Sequence, residues 1–361
     1  MTFTVNDIEN LNTTWPLPKN KKDIVMIGAG GIVSDAHLPA YKKANYKVIG
    51  IYDPIFDKAK KCAKDFEIKE IYNSLDEAFL KKNVVFDIAV PPAILRDVVK
   101  KIPEKSICQF QKPLGNSFDQ AREIKKIVID KKITACVNLQ LKFSPMMLAL
   151  KDAIDKKMIE DINELEVSLS VGTPWHLWPF LESLDNVELP LHSIHYLDWI
   201  RSILGEPQSV HCKSSKHPKF PKLADARSSI ILDYGDNIRC CLSLNHTHDH
   251  SAYGKKHSHA YARVEGAKGA AYIKLGLLLD YPNGEEEEIE ISTNDISWTK
   301  VKNVGTWFPD AFIGTMSSLQ RFAAGEDKYL PHSVENSFNT MAVVYACLES
   351  DSKLGTAIKK N

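Results

Sequence analysis

Asp23-Ile-Val-Met-Ile27, followed directly by Gly28-Ala29-Gly30-Gly31-Ile32-Val33, is a short apolar run that ends in a cluster of glycines. Apolar residues at helical spacing come next, and a second apolar run, Val48-Ile49-Gly50-Ile51-Tyr52, ends at Asp53. This order of strand, glycine-rich turn, helix, strand and acidic residue is the fingerprint of a dinucleotide-binding site. The stretch therefore predicts a nucleotide-binding domain built on a parallel sheet.

The glycines of this stretch have separate predicted roles. Gly28 can adopt backbone angles that are unfavourable for residues with a side chain, so the turn can be tight. Gly30 lets the backbone approach a pyrophosphate at the N-terminus of the following helix. The third glycine of the fingerprint is replaced by Val33, which makes the match imperfect. We expect the cofactor loop to consist of Gly28, Ala29, Gly30, Gly31 and Ile32.

Asp53 predicts which dinucleotide is bound. A carboxylate at the end of the second strand is placed to accept hydrogen bonds from a ribose diol. The same carboxylate would repel a 2′-phosphate. The sequence therefore favours NAD over NADP as the cofactor.

Length and composition limit the classes of protein to which the chain can belong. Its 361 residues are enough for two domains that each bury a core, and its formal net charge is zero. Zero net charge argues against general binding to nucleic acid or to an anionic membrane. There is no signal-peptide pattern at the start and no apolar stretch long enough to span a bilayer. The seven cysteines are scattered without a CxxC motif, so we expect reduced thiols and a cytoplasmic protein.

Strands and helices alternate through the first part of the chain. Apolar runs at 84–90, 106–110 and 133–137 indicate strands, and helical patterns separate them. Alternation of this kind predicts an α/β Rossmann domain with a doubly wound parallel sheet over residues 21–143, after an N-terminal arm at 1–20. Ligands of such sheets bind beyond the carboxyl ends of the strands, where Pro91, Pro92 and Gln111 follow predicted strands.

Ser144-Pro145 begins a predicted helix, and the pattern of apolar residues changes after it. Short apolar alternations joined by tight turns predict an antiparallel sheet and a second domain of the α+β type over residues 144–330. The predicted strands are 164–171, 209–215, 227–233, 238–245, 260–265 and 270–274. Two further helices are predicted at 311–324 and 334–348, the latter within a C-terminal segment at 331–361. The acidic run 285–288 is interpreted as a solvated strand entry.

Two elements beyond the glycine loop carry side chains suited to acid–base chemistry. Gln111-Lys112-Pro113 follows a strand at the cofactor edge, and a lysine in a partly dry cleft can orient a hydroxyl or transfer a proton to it. Leu191-His192-Ser193-Ile194-His195-Tyr196-Leu197-Asp198-Trp199 indicates a helix with His192, His195 and Trp199 on roughly one face. Histidine is suited to accept the proton of an alcohol whose hydride departs. Taken alone, each motif has a structural alternative: Lys112 could be a surface lysine in a turn, and the two histidines could be buried core residues.

Together these elements resemble the Gfo/Idh/MocA family, the group of glucose–fructose oxidoreductase and inositol dehydrogenase. The resemblance runs from about Lys22 to the C-terminus. It also includes His37-Leu38-Pro39, Pro91-Pro92 and the run from His195 to Pro207. The family implies a Rossmann domain followed by a second domain with a large open, mainly antiparallel sheet that pairs subunits into homodimers or homotetramers. It also implies that the final helix packs back towards the first domain.

The resemblance implies a role for each motif residue. Lys112 matches the lysine of the family's Glu-Lys-Pro motif, which lies beside the nicotinamide and the substrate, while Gln111 replaces the glutamate. His195 matches the histidine of the family's Asp-x-x-x-His motif, the usual base, while Leu191 replaces the aspartate. We expect Gln111 and Lys112 to contact the cofactor, and Lys112, His192 and His195 to contact the substrate.

Two further stretches have open interpretations. One interpretation of Trp175, His176 and Trp178 is that their rings stack against a sugar ring in the substrate site. The alternative is that they pack between the two domains. Asn245-His246-Thr247-His248-Asp249-His250, with His257 and His259 nearby, would place alternate histidines on one face of a strand. These histidines hold a metal, contact a substrate or subunit, or lie on the surface. Because no cysteine or second carboxylate completes a site, we expect no metal.

The sequence thus predicts NAD-dependent oxidation of a hydroxyl on a sugar, polyol or related carbohydrate. His195 takes the hydroxyl proton, and Lys112 holds the oxygen. Two alternatives remain on the same fold. One is an NAD-dependent glycoside hydrolase that oxidises the sugar transiently, and the other is a non-catalytic sensor that binds NAD and a sugar.

Overall fold

The first of two sheets is built from the apolar runs at the start of the chain. The computed structural model describes residues 3–248, 257–280, 283–302, 304–353 and 355–358. The six strands of this sheet are parallel and lie in the order β3-β2-β1-β4-β5-β6, the order of a Rossmann sheet. They are β1 (Ile24–Ile27), β2 (Val48–Tyr52), β3 (Glu70–Ile71), β4 (Val85–Ile88), β5 (Ile107–Phe110) and β6 (Thr134–Val137).

Helices connect the parallel strands, as right-handed crossovers require. Val33–His37 is a π-helical stretch that continues into α2 (Leu38–Lys43). The other connecting helices are α3 (Phe56–Asp65), α4 (Leu75–Phe79), α5 (Pro92–Lys101) and α6 (Phe118–Asp130). The helix α9 (Asp310–Ala323) also packs on α2. The predicted α/β Rossmann class is confirmed, although the two-residue strand β3 was missed.

The second sheet has eight strands in the order β14-β13-β12-β11-β7-β10-β9-β8. All neighbouring pairs are antiparallel except β7 with β10, so the predicted mainly antiparallel sheet is confirmed. Its strands are β7 (Ile162–Ser170), β8 (Ser209–Ser215), β9 (Arg227–Asp233), β10 (Arg239–Asn245), β11 (His259–Gly266), β12 (Gly269–Lys274), β13 (Glu288–Thr293) and β14 (Ile296–Lys300).

The register of the second sheet separates a buried face from an exposed one. Burial alternates along β9 and β10, so that Cys240 is buried and Cys241 is only half-buried. One row of outward-facing partners crosses the whole sheet: His211, Ile231, Cys241, Glu166, Arg263, Tyr272, Glu290 and Lys300. The remaining helices are α1 (Val5–Glu9), α7 (Pro145–Asp155), α8 (Ile194–Leu204) and α10 (Val334–Ser352).

The chain divides into two compact units. One consists of Thr14–Ser144 and Trp307–Met341, and the other of Met1–Thr13, Pro145–Thr306 and Ala342–Asn361. Each of the predicted segments 1–20, 144–330 and 331–361 is thus shared between the two units. The first is called the Rossmann unit below and the second the sheet unit.

The predicted helix over 191–199 is present, as a π-helical stretch, Glu188–Ser193, that continues into α8. Two local predictions for the sheet unit were wrong. His246 and His248 are not on a strand, because β10 ends at Asn245 and the backbone N–H of His246 donates to Ala226 O. The acidic run is not all solvated, since Glu287 is buried and accepts the backbone N–H of Leu277 at 3.2 Å. Asp249 and His250 lie outside the described residues.

All seven cysteines are free thiols. Among the described residues, no helix combines the length and the apolar composition needed to cross a membrane.

Candidate functional site

The glycine loop follows β1 directly, at the carboxyl edge of the Rossmann sheet. Gly28 has a φ of +110°, and a Cβ at this position would lie 2.3 Å from the carbonyl oxygen of Ala89. Only glycine fits there, because the backbone that follows the neighbouring strand β4 at Ala89 contacts the turn. A Cβ on Gly30 would meet nothing within 4 Å. The loop is therefore closed on the side of Gly28 and open on the side of Gly30, which suits a pyrophosphate.

Asp53 is held at the end of β2 by two backbone N–H groups. Its Oδ2 accepts from Ala29 at 2.8 Å, and its Oδ1 accepts from Ile55 at 2.8 Å. These bonds fix a half-buried carboxylate beside the glycine loop. A fixed carboxylate at this place can accept hydrogen bonds from a ribose diol, as the sequence predicted. The residues of the loop and Asp53 therefore fit an NAD molecule.

Val33 occupies the position of the third fingerprint glycine and is fully buried. The π-helical stretch begins at this residue, and its backbone N–H donates to Gly30 O at 3.0 Å. Gly31 and Ile32 form the first helical residues before it. A wider helical turn gives a larger side chain room beside the sheet. We interpret the π-helical stretch as the local adjustment to valine at this position.

The lysine loop follows β5 on the same edge of the Rossmann sheet. The backbone N–H of Gln111 donates to Ile88 O at 2.9 Å, and Gln111 Oε1 accepts the N–H of Lys112 at 3.0 Å. Lys112 is half-buried. Gln111 thus keeps the acceptor oxygen that a glutamate would supply and loses the charge. On the neighbouring loop, Pro91 is the N-cap and Pro92 the first residue of α5.

A buried polar network below these loops was missed in the sequence. Asp87 Oδ2 is 2.7 Å from His37 Nδ1 and also accepts the hydroxyl of Tyr41. Gln109 Nε2 donates to the Tyr41 hydroxyl at 3.1 Å, and His37 Nε2 lies 3.2 Å from the amide of Asn138. Burial and the charge of Asp87 raise the pKa of Tyr41 well above its ordinary value. The network ties β4, β5 and the end of β6 to α2, and so supports the loops that carry Pro91 and Lys112.

In the sheet unit, His195 lies in the first turn of α8 and is 7% exposed. Leu191, in the family's aspartate position, packs against a hydrophobic cluster of Trp175, Leu181, Val187, Leu223 and Ala226. An apolar side chain suits this environment, which explains why leucine is tolerated here. Lys112 and His195 belong to different units.

The aromatic loop before the histidine helix is only partly buried. Trp175 belongs to the hydrophobic cluster and is 8% exposed, and Trp178 packs against that cluster. His176 is exposed. The Trp175 ring lies 5.5 Å from the His192 ring. The loop thus presents His176 to solvent and buries Trp175 beside His192.

A carboxylate that the sequence did not single out brings two predicted histidines together. Glu188 Oε2 is 2.8 Å from His246 Nδ1 and 3.4 Å from His192 Nδ1. Burial by itself would raise the pKa of Glu188, but the charges and hydrogen bonds of the two histidines lower it to about 2. Glu188 and His192 are four residues apart, so the sequence alone could have indicated that they lie on the same face of a helix. The contact of Glu188 with His246, 58 residues away, could not be read from local sequence spacing.

Among the described histidines of the 246–259 run, His248, His257 and His259 are not part of this group. His248 donates its backbone N–H to Val171 O at 3.0 Å, and exposed His259 lies on β11 with Nε2 3.1 Å from Ser168 Oγ.

A Rossmann unit with a glycine loop and a fixed acid after β2, joined in sequence to a sheet unit, defines a two-unit nucleotide-binding protein. Residues 22–139 match the model of the Gfo/Idh/MocA group, described as an oxidoreductase family with an NAD-binding Rossmann fold. This match covers 118 of the 361 residues, all within the Rossmann unit, and shows the NAD-binding fold of that unit.

One relative is similar in sequence, and solved structures are similar in fold. The uncharacterized protein YMR315W of Saccharomyces cerevisiae is 29% identical over 140 residues, which cover 37% of this chain and 40% of that protein. An oxidoreductase from Agrobacterium radiobacter, solved with NAD+, L-tartaric acid and magnesium, has a TM-score of 0.75 at 17% identity, covering 92% of this chain and 97% of that one. Levoglucosan dehydrogenase, solved with NADH and levoglucosan, has a TM-score of 0.76 at 16% identity, covering 92% and 98%. At these identities, the likeness to the solved structures shows the fold.

Proposed function

We propose that this chain is an NAD-dependent dehydrogenase that oxidises a hydroxyl of a sugar, polyol or related carbohydrate. The observation that carries the proposal is the loop of Gly28 and Gly30 beside the fixed carboxylate of Asp53, within an NAD-binding family fold. A structural neighbour that is a levoglucosan dehydrogenase supports a carbohydrate as the substrate class.

Lys112 and His195 carry the proton chemistry in this proposal. His195 accepts the proton of the substrate hydroxyl, and the Lys112 ammonium holds the same oxygen and stabilises its developing negative charge. Bound NAD supplies the hydride acceptor. The fixed carboxylate of Asp53 favours NAD over NADP because it would face a 2′-phosphate.

We also propose that the exposed face of the second sheet pairs copies of the chain into a homodimer or homotetramer. Large apolar side chains stand on that face, including Ile231, Tyr272 and Trp298, which are 54%, 39% and 50% exposed. Charged side chains of both signs, such as Glu166 and Arg263, stand between them and can pair with those of a second copy of the same face. We place the protein in the cytoplasm, because all seven thiols are unpaired with one another.

One observation favours a sensor as the second candidate. Leu191 packs into an apolar cluster and cannot supply the polar contact that the family aspartate makes. A sensor binds NAD and sugar without turnover.

The test is a panel of aldoses, polyols, inositols and lactones incubated with NAD while NADH is monitored. Steady formation of NADH with at least one compound supports the dehydrogenase. In a parallel incubation with glycosides, a glycoside hydrolase would consume them without net NADH, whereas a sensor would bind a sugar and form no product. Either of those two results would overturn the proposal.

A further inference from the structure

Three side chains of the sheet unit converge on one point, and the proposed proton chemistry of Lys112 and His195 uses none of them, although the sequence predicted that His192 contacts the substrate. Within the described ranges, Glu188, His192 and His246 are the one group of three His, Cys, Asp or Glu residues whose ligand atoms all lie within 4.8 Å of one another. Glu188 and His192 come from the π-helical stretch, and His246 follows β10. We propose that these three residues bind a divalent transition-metal ion of the zinc class.

The spacing of the ligand atoms suits such an ion. Around a tetrahedral zinc, with bonds of about 2.0–2.1 Å, neighbouring ligand atoms lie about 3.4 Å apart. Glu188 Oε2 is 2.8 Å from His246 Nδ1 and 3.4 Å from His192 Nδ1, and the two imidazole rings are 4.3 Å apart between centroids. The first distance is shorter than the required value, the second matches it, and all three ligand atoms lie within 4.8 Å of one another. Small side-chain movements therefore admit the ion.

The kind of ligand selects the kind of ion. Two imidazole nitrogens and one carboxylate oxygen form a set that zinc, cobalt and nickel prefer, whereas calcium and magnesium prefer oxygen ligands alone. Each imidazole then carries its proton on Nε2, so that the Nδ1 lone pair points to the metal.

Neighbouring groups hold the carboxylate in position. Ser193 Oγ donates to Glu188 Oε1 at 3.0 Å, which leaves Oε2 for the two imidazoles. Asp225 Oδ1 accepts the backbone N–H groups of Val187 and Glu188 at 2.7 and 2.8 Å, fixing the start of the π-helical stretch. Outer contacts of this kind orient metal ligands.

Burial and charge also favour a bound cation. The Glu188 side chain is fully buried and that of His246 is 5% exposed, while that of His192 is 24% exposed and gives access from solvent. A buried carboxylate needs compensating positive charge. Trp175 Nε1, on the ring beside His192, is buried and has no hydrogen-bond partner among the described residues. Its N–H is thus an unused donor on a ring that neighbours one of the three ligands.

The experiment titrates the full-length protein, after treatment with a chelator, with Co²⁺ and then with Zn²⁺ as competitor. Neither NAD nor a sugar is present, so the result does not depend on the proposed dehydrogenase activity. We expect one ion per chain, with the visible absorption of four- or five-coordinate Co²⁺. X-ray absorption of the zinc protein should show two imidazoles and oxygen ligands at about 2.0–2.1 Å.

Three variants test which residues bind the ion. His192→Ala removes a half-buried ligand, and Glu188→Gln keeps the shape of the side chain and removes its charge. Each should weaken Zn²⁺ binding at least about 30-fold, whereas His259→Ala, which removes an exposed histidine outside the group, should change it less than about twofold. Circular dichroism shows whether each variant folds.

Four results would overturn the proposal. The first is wild-type protein with no saturable site, and the second is a zinc spectrum without two imidazole ligands. Both of these measurements use the wild type, so they decide even if a variant fails to fold. The third is a folded His192→Ala variant that binds zinc as tightly as wild type, and the fourth is a loss of affinity in His259→Ala as large as that in His192→Ala.

Discussion

At the scale of single residues, two glycines of one loop have opposite surroundings. A Cβ on Gly28 would enter the space of the Ala89 carbonyl, and φ at Gly28 is +110°. A Cβ on Gly30 would enter open space. The two positions therefore separate the stability of the turn from its ability to bind a phosphate.

We expect Gly28→Ala to lower the free energy of unfolding by about 2–4 kcal/mol, because it combines a backbone conformation unfavourable for alanine with a steric clash. Gly30→Ala should leave stability within about 0.5 kcal/mol and weaken NAD binding at least tenfold, because the methyl group occupies the space of the pyrophosphate. Denaturant unfolding and calorimetric titration with NAD measure the two effects. Tight NAD binding by folded Gly30→Ala would contradict the predicted position of the pyrophosphate.

Asp53 sets the second residue-scale prediction. Since two backbone N–H groups fix its carboxylate, the side chain does not readily turn away from a 2′-phosphate. We expect kcat/KM with NAD to be at least about tenfold higher than with NADP, a difference of about 1.4 kcal/mol. Initial rates with both cofactors measure this ratio. Equal use of NADP would show that Asp53 does not control the choice.

At the scale of elements, the segment 188–204 changes from a π-helix to an α-helix between His192 and His195. The π-helical stretch places Leu191 against the hydrophobic cluster around Trp175. It also brings Glu188 and His192 close to each other, beside His246. Leu191 is therefore part of the packing of the element as well as the replacement for a family aspartate.

Leu191→Asp restores the family residue and tests these roles. Because a carboxylate would lie against an apolar cluster, we expect a loss of about 1–3 kcal/mol in the free energy of unfolding and weaker substrate binding, with a smaller change in kcat. Leu191→Met is the control and should cost less than about 1.5 kcal/mol. Full stability in Leu191→Asp would mean that the side chain is turned towards solvent.

The elements also show what the sequence could and could not predict. The boundaries of β8 and β9 were predicted correctly, because both strands alternate between a buried and an exposed face. The strands β13 and β14 were missed, since an acidic run at 285–288 hides the start of the first, and exposed residues interrupt the apolar pattern of the second. The alternation of apolar and polar residues indicates only which face of a strand is buried. The strands β13 and β14 are formed by pairing with their neighbours, which this alternation does not reveal.

The candidate site shows the same limit. The glycine loop and Asp53 could be predicted, because their geometry is set within one strand–turn–helix unit. The network around Asp87 and the contact of Glu188 with His246 could not, since they join residues 46–101 positions apart. The roles of Lys112 and His195 in catalysis remain predictions.

At the scale of the whole molecule, the chain joins a Rossmann unit to a sheet unit whose exposed face carries Ile231. We expect a symmetric homo-oligomer, because pairing this face buries its large apolar side chains. Ile231→Glu should lower the mass measured by light scattering at micromolar concentration towards that of a monomer. Leu80→Glu, at a 72% exposed position of the Rossmann unit, is the matched control and should leave it unchanged. A monomeric wild type would refute the pairing.

The central claim, that this fold performs hydride transfer with Lys112 and His195 as its acid–base pair, is tested most directly by turnover of Lys112→Met on a substrate found in the sugar panel. We predict that kcat falls at least about 100-fold, and equally in His195→Ala, while the affinity for NAD changes little because Gly28, Gly30 and Asp53 hold the cofactor. Lys126→Met, on the exposed face of α6, is the control and should retain wild-type turnover. Lys112→Met as active as wild type would contradict the catalytic assignment.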